Sequence, residues 1–137
     1  MDREAIKKII PHREPMLLVD EIQLEDGKAI GRYTVQGDEF FLQGHFPNNP
    51  VVPGVILCEM MAQSSCPLIE IEGSFTPYFT KMNNVRFKKK VVPGDTIVFK
   101  SEMTASKGPF YFIKSNGYVE DALCVSGELS FAVVQEE

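Results

Sequence analysis

The stretch that most restricts this chain is residues 55–66, Val-Ile-Leu-Cys-Glu-Met-Met-Ala-Gln-Ser-Ser-Cys. It holds no proline or glycine and follows Pro53, a residue suited to a first helical turn. A helix this apolar around most of its circumference has to be buried. In a chain of 137 residues, the size of one domain, only a sheet built from the remainder can cover it.

The remainder reads as that sheet. Strands are expected at 17–24 and 28–36, joined by the hairpin signal Asp26-Gly27. Four more are expected at 79–90, 95–106, 110–119 and 122–134, separated by Pro93-Gly94, Gly108-Pro109 and Glu120-Asp121. Asp2 is expected to cap a short helix over about 3–9, with Ala5, Ile6, Ile9 and Ile10 as its apolar stripe. Pro11 and Pro15 then break the chain, and a loop rich in Gly, Pro and Asn runs from 37 to 53. Val-Val-Pro-Gly occurs at 51–54 and again at 91–94, but the flanks do not align, so it is a reused turn. The expected architecture is α+β: a strongly curved antiparallel sheet wrapped around one long central helix, in a single domain over 1–137.

Composition removes several function classes. With 14 basic and 19 acidic residues the net charge is −5, the wrong sign for a nucleic-acid binder. Cys58, Cys66 and Cys124 are odd in number and show no C-x-x-C spacing, which disfavours a disulfide framework or a cysteine zinc site. Cys58 and Cys66 sit in apolar sequence and read as buried, reduced thiols, which suits the cytoplasm. Met1-Asp2-Arg3-Glu4 is too charged for a secretory signal, and no apolar run approaches 18 residues. The expectation is a soluble cytoplasmic protein with neither membrane nor nucleic acid as partner.

Glu59 breaks the apolar pattern of the helix. A carboxylate among Val55, Ile56, Met60, Met61 and Ala62 costs free energy unless it is paired or faces a site. Either it serves chemistry, or it rides a wet face with Gln63 and Ser64. His45, in Gly44-His45-Phe46-Pro47, stands fourteen residues earlier across a Pro/Gly connection that can fold toward the helix. His12, between Pro11 and Arg13, reads as a solvated turn residue. Gly54 falls at the helix start, where amides lack partners, the helix dipole favours negative charge, and a missing Cβ permits close approach. A histidine, a carboxylic acid and a helix-terminal amide suit proton abstraction next to a carbonyl.

Pro11-His12-Arg13-Glu14-Pro15-Met16-Leu17-Leu18-Val19-Asp20 resembles the opening signature of the 3-hydroxyacyl-acyl-carrier-protein dehydratases of fatty acid synthesis, the FabZ family. Gly44-His45-Phe46-Pro47, Pro50-Val51-Val52-Pro53-Gly54-Val55 and Glu59-Met60-Met61-Ala62-Gln63 are similar to its catalytic segment. Arg86-Phe87-Lys88 with Val91-Val92-Pro93-Gly94-Asp95 resembles its third signature. The resemblance implies the hot-dog fold, no cofactor and no metal. It also implies His45 and Glu59 as the catalytic pair, Gly54 as donor to the thioester carbonyl, and Gln63 as a helper orienting Glu59. Phe46, Val55 and Tyr78 would line or gate an acyl tunnel. The assembly implied is a homodimer whose sites take His45 from one subunit and Glu59 from the other, with trimers of dimers common. Two departures stand out: Asn48 replaces the usual Gly, and Glu59 stands where the related dehydratase-isomerases usually carry Asp. The rival readings are a hot-dog acyl thioesterase and a non-catalytic acyl-binding subunit.

The charge is unevenly spread. Residues 81–114 hold eight basic and two acidic groups, net +6, while the rest of the chain is net −11. Arg86, Lys88, Lys89 and Lys90 are either solvated strand residues or a docking patch for an acidic acyl carrier protein.

Overall fold

The computed structural model describes residues 1–135. Helix α1 spans Arg3–Lys7 and α2 spans Gly54–Ser65. The strands are β1 Glu21–Glu25, β2 Lys28–Thr34, β3 Phe75–Phe87, β4 Thr96–Lys107, β5 Phe110–Val119 and β6 Ala122–Gln135. All pair antiparallel in one sheet, ordered β1-β2-β4-β5-β6-β3. Helix α2 lies against β2, β4, β5 and β6. The expected sheet around one helix is what the chain forms.

The reason is burial. Leu57, Met60 and Met61 of α2 are shielded among Ile97, Phe99, Ile113, Leu129 and Phe131 of the sheet. Each such side chain contributes about 2 kcal/mol by leaving water. The fit is close enough that two strand positions require glycine for space. A Cβ at Gly31 of β2 would overlap Ser64 of α2, and one at Gly117 of β5 would lie 2.7 Å from Phe99 and 2.8 Å from Val125.

Local signals hold with shifted ends. Asp2 caps α1 by accepting from the Ala5 amide at 2.9 Å, but the helix closes at Lys7 rather than 9. Ile6 and Ile10 are buried beneath it as the stripe required. The loop over 37–53 contains one 3-10 turn, Phe40–Leu42. The turn at Asp26-Gly27 has both residues at positive φ, 52° and 77°, which a two-residue hairpin of this twist needs. Asn48 takes φ 63°, so it meets the left-handed backbone requirement that glycine usually fills.

Two strands differ more. The strand expected over 17–24 starts only at Glu21, because Leu18 gives its amide to the Gln63 side chain instead of a neighbouring strand. The strand expected over 79–90 spans 75–87, shifted toward the N-terminus. Phe75 to Tyr78 already pair with β6, while the Lys88 and Lys89 amides both converge on the Cys124 carbonyl and end the ladder.

All three cysteines are free and buried. Burial, reinforced by the nearby Glu59 carboxylate, pushes the Cys66 thiol up to about 12, and the same two causes raise Cys58. Thiolate is the reactive form. At pH 8 an alkylating reagent is therefore expected to leave Cys58 and Cys66 of the native protein unlabelled over a time that labels both in guanidinium. Rapid native labelling of Cys66 would contradict this.

Candidate active site

Helix α2 begins directly after Pro53, and its first amides, those of Gly54 and Val55, have no carbonyl one turn back to bond. A Cβ on Gly54 would lie 2.9 Å from the Phe87 ring, so glycine is required for space here as well as for access. Around this helix start is a cavity of about 660 Å³ lined by His45, Val51, Gly54, Val55, Phe87 and residues 88–90. The Val55 side chain is largely exposed at its edge.

His45 is held in one tautomer. Its Nδ1 lies 2.9 Å from the Val51 carbonyl oxygen. A carbonyl oxygen can only accept, so Nδ1 carries a proton, and in the neutral ring Nε2 is the nitrogen with the lone pair. Phe46 stacks on the imidazole with ring centroids 4.1 Å apart and leaves its own outer face exposed.

Glu59 lines a different and much smaller cavity, about 30 Å³, with His12, Gln63, Cys66, Pro77 and Phe79. This is room for water and not for an acyl chain. Glu59 is five residues past Gly54, about 7.5 Å along the axis and about 140° around it, so one chain presents the two groups on different faces. His45 and Glu59 line separate cavities and share none within the described chain.

Gln63 is 1% exposed and fully bonded. Its side-chain oxygen accepts from the Leu18 amide at 2.7 Å; its nitrogen donates to the Met16 carbonyl and to Glu59 Oε2, both at 2.8 Å. An amide N–H on one side and a carbonyl on the other leave only this orientation of the Gln63 side chain. The wet-face reading of Glu59 with Gln63 and Ser64 fails, because Gln63 and Ser64 are both buried.

His12 is not the solvated turn residue its flanks suggest. Its side chain is 21% exposed, and Nε2 lies 3.4 Å from Glu59 Oε2. Nothing local in sequence signals this contact, because residues 12 and 59 are brought together only when the N-terminal segment packs on α2. Tyr78 stands on β3 between Pro77 and Phe79, with its side chain more than half exposed. Lys88, Lys89 and Lys90 are exposed at the rim of the larger cavity, and Arg86 lies just before them on β3. Among the described residues no cluster of His, Cys, Asp and Glu could hold a metal ion, and no helix is long and apolar enough to cross a membrane.

A helix sheathed by one antiparallel sheet, with a histidine and an amide at its N-terminal end, defines a hot-dog-fold protein. A solved dehydratase heterocomplex, ApeI:P from Xenorhabdus doucetiae, superposes with a TM-score of 0.76 over 96% of this chain and 91% of that one, at 17% identity. Residues 10–128 match the profile of the FabA-like domain. The 3-hydroxyacyl-[acyl-carrier-protein] dehydratase FabZ of Caldicellulosiruptor saccharolyticus is 44% identical over 96% of this chain and 98% of its own. That of Staphylococcus epidermidis is 43% identical over 96% and 94%. This chain belongs to the FabZ family of the FabA-like dehydratases.

Proposed function

We propose that the protein catalyses the reversible dehydration of (3R)-3-hydroxyacyl-acyl-carrier-protein to the trans-2-enoyl thioester in fatty acid biosynthesis. Likeness to named dehydratases over nearly the whole of both chains carries this reading. His45 Nε2, whose lone pair is free, takes a proton from C2. The thioester oxygen gathers negative charge, which the Gly54 amide and the α2 N-terminus stabilise. Glu59 gives its proton to the C3 hydroxyl, water leaves, and the C2–C3 double bond forms. The proton gained by His45 and the one lost by Glu59 then exchange through solvent. Phe46, Val55 and Tyr78 guide the acyl chain.

The site is completed in a homodimer, His45 of one subunit meeting Glu59 of the other. The separate cavities that the two residues line support this, as does β3. That strand is 13 residues long, forms one edge of the sheet, and exposes Tyr78, Phe79, Met82 and Phe87. A native mass measurement distinguishes one dimer from a trimer of dimers. The three unpaired thiols fit a cytoplasmic location.

An enoyl thioester mixed with the protein is expected to lose its conjugated absorbance as water adds. Release of free thiol would instead mark a thioesterase, and neither change a non-catalytic subunit. Arg86 and Lys88 to Lys90 dock the acidic carrier protein. Reversing Lys88 and Lys89 to Glu is expected to raise KM about tenfold for carrier-bound substrate, with short free thioesters unaffected. Equal loss on both substrates would refute the docking role.

A further inference from the structure

The segment between α1 and β1 is fastened on both sides of His12. Arg13 donates to the carbonyl oxygens of Ile10 and His12 at 3.0 and 2.7 Å and to that of Lys7 at 3.2 Å. Glu14 pairs with Arg3 at 2.9 Å and Lys7 at 3.2 Å. Its carboxyl is held down at about 2, first by its own backbone amide and then by Lys7 and Arg3. A lowered carboxyl stabilises the fold above its ordinary value near 4.5, and that contribution is lost only as pH falls toward 2. The fastening is therefore intact at any pH where the enzyme would work. Further along, Gln63 grips the Met16 carbonyl and the Leu18 amide.

These ties set the imidazole of His12 against Glu59 in an environment a simple turn residue would not need. Its Nδ1 is buried with no partner. A bare lone pair buried there is tolerable, whereas a proton on Nδ1 would lack an acceptor, so Nε2 carries the proton and faces Oε2. Two groups thus face one oxygen of Glu59: Gln63 Nε2 donates to it at 2.8 Å, and His12 Nε2 stands 3.4 Å away, at ion-pair distance. Oε1 has no hydrogen bond among the described residues.

We propose that His12 is a positioning residue that, with Gln63, holds Oε2 of Glu59 so that Oε1 is the oxygen carrying and delivering the acid proton. The inference rests on Glu59 being the acid of the proposed reaction. In the acid form the oxygen that accepts the Gln63 N–H and faces His12 is the carbonyl oxygen, which leaves the hydroxyl at Oε1. Once that proton has gone to the substrate, the same two donors stabilise the carboxylate left behind. The orientation is thus the one required both before and after transfer.

The test compares His12→Phe, which keeps a ring but has no donor, with His12→Gln, which restores an N–H. On the full-length enzyme, H12F is expected to lower kcat about tenfold with KM unchanged within about twofold, and H12Q to recover most of that loss. Thermal melting of both variants is measured alongside, and His12→Asn replaces either one that fails to fold. A role limited to packing would be relieved by the ring of H12F and not by H12Q. Wild-type kcat in H12F, a change confined to KM, or equal kcat loss in H12F and H12Q overturns the role of His12. Glu59→Gln, assayed in parallel, keeps the two readings separable. An inactive E59Q beside a fully active H12F removes His12 alone, whereas an active E59Q removes the assignment of Glu59 and that of His12 with it.

Discussion

His45→Ala and Glu59→Gln are each expected to lower turnover about a thousandfold with the fold intact, and mixing the two inactive proteins is expected to restore about a quarter of wild-type activity. The loss follows from chemistry. Alanine has no base to accept the C2 proton, and glutamine has no proton to give the leaving hydroxyl. Recovery follows from geometry. With random subunit exchange about half the dimers are mixed, and each mixed dimer has one intact site out of two, built from the unmutated His45 of one subunit and the unmutated Glu59 of the other. If each site were made within one chain, no mixture would recover anything. Circular dichroism of the separate variants guards against unfolding as the cause. Recovery at the quarter level would establish both the pair and its division between subunits, as expected from the separate cavities that His45 and Glu59 line in one chain.

The largest expected effect on stability lies on the opposite side of α2. Gly31 faces Ser64 across the β2–α2 contact so closely that a methyl group at 31 would overlap the serine side chain. Gly31→Ala is expected to cost about 3 kcal/mol, the upper part of the range for overpacking, and to lower Tm by roughly 10 °C. Ser64 is buried and its hydroxyl has no partner, so little besides packing holds that side chain in place. Adding Ser64→Gly to Gly31→Ala is expected to return part of the loss despite the helix penalty of glycine, a non-additivity that a double-mutant cycle measures directly. A Gly31→Ala protein that melts with the wild type would mean that β2 and α2 can separate at no cost, contrary to the close packing between them.

Much of the architecture was legible in the chain because the strongest signals are local. An apolar twelve-residue stretch after Pro53, turn pairs such as Asp26-Gly27, and the Asp2 cap each act through backbone preferences that need no distant partner. Sequence pattern and structure part where a distant partner intervenes. Leu17, Leu18 and Val19 have the composition of a strand, yet the Gln63 side chain, 45 residues away, takes the Leu18 amide and holds the segment off the sheet. At the other end of the sheet, the Cys124 carbonyl stops β3 before the lysines that continue its pattern.

The site divides in the same way. Sequence by itself determined that a central helix would be buried, that Glu59 would be its one carboxylate, and that Gln63 at i+4 could reach it, because helical spacing is a property of the backbone alone. The tertiary structure decided the rest. It turned His45 by a bond from Nδ1 to the Val51 carbonyl, set His45 and Glu59 in different cavities, and brought His12 from an apparently solvated turn to within 3.4 Å of Glu59. Those outcomes depend on which segments pack against which, and packing is settled by shape and burial over the whole chain rather than by any residue's neighbours in sequence.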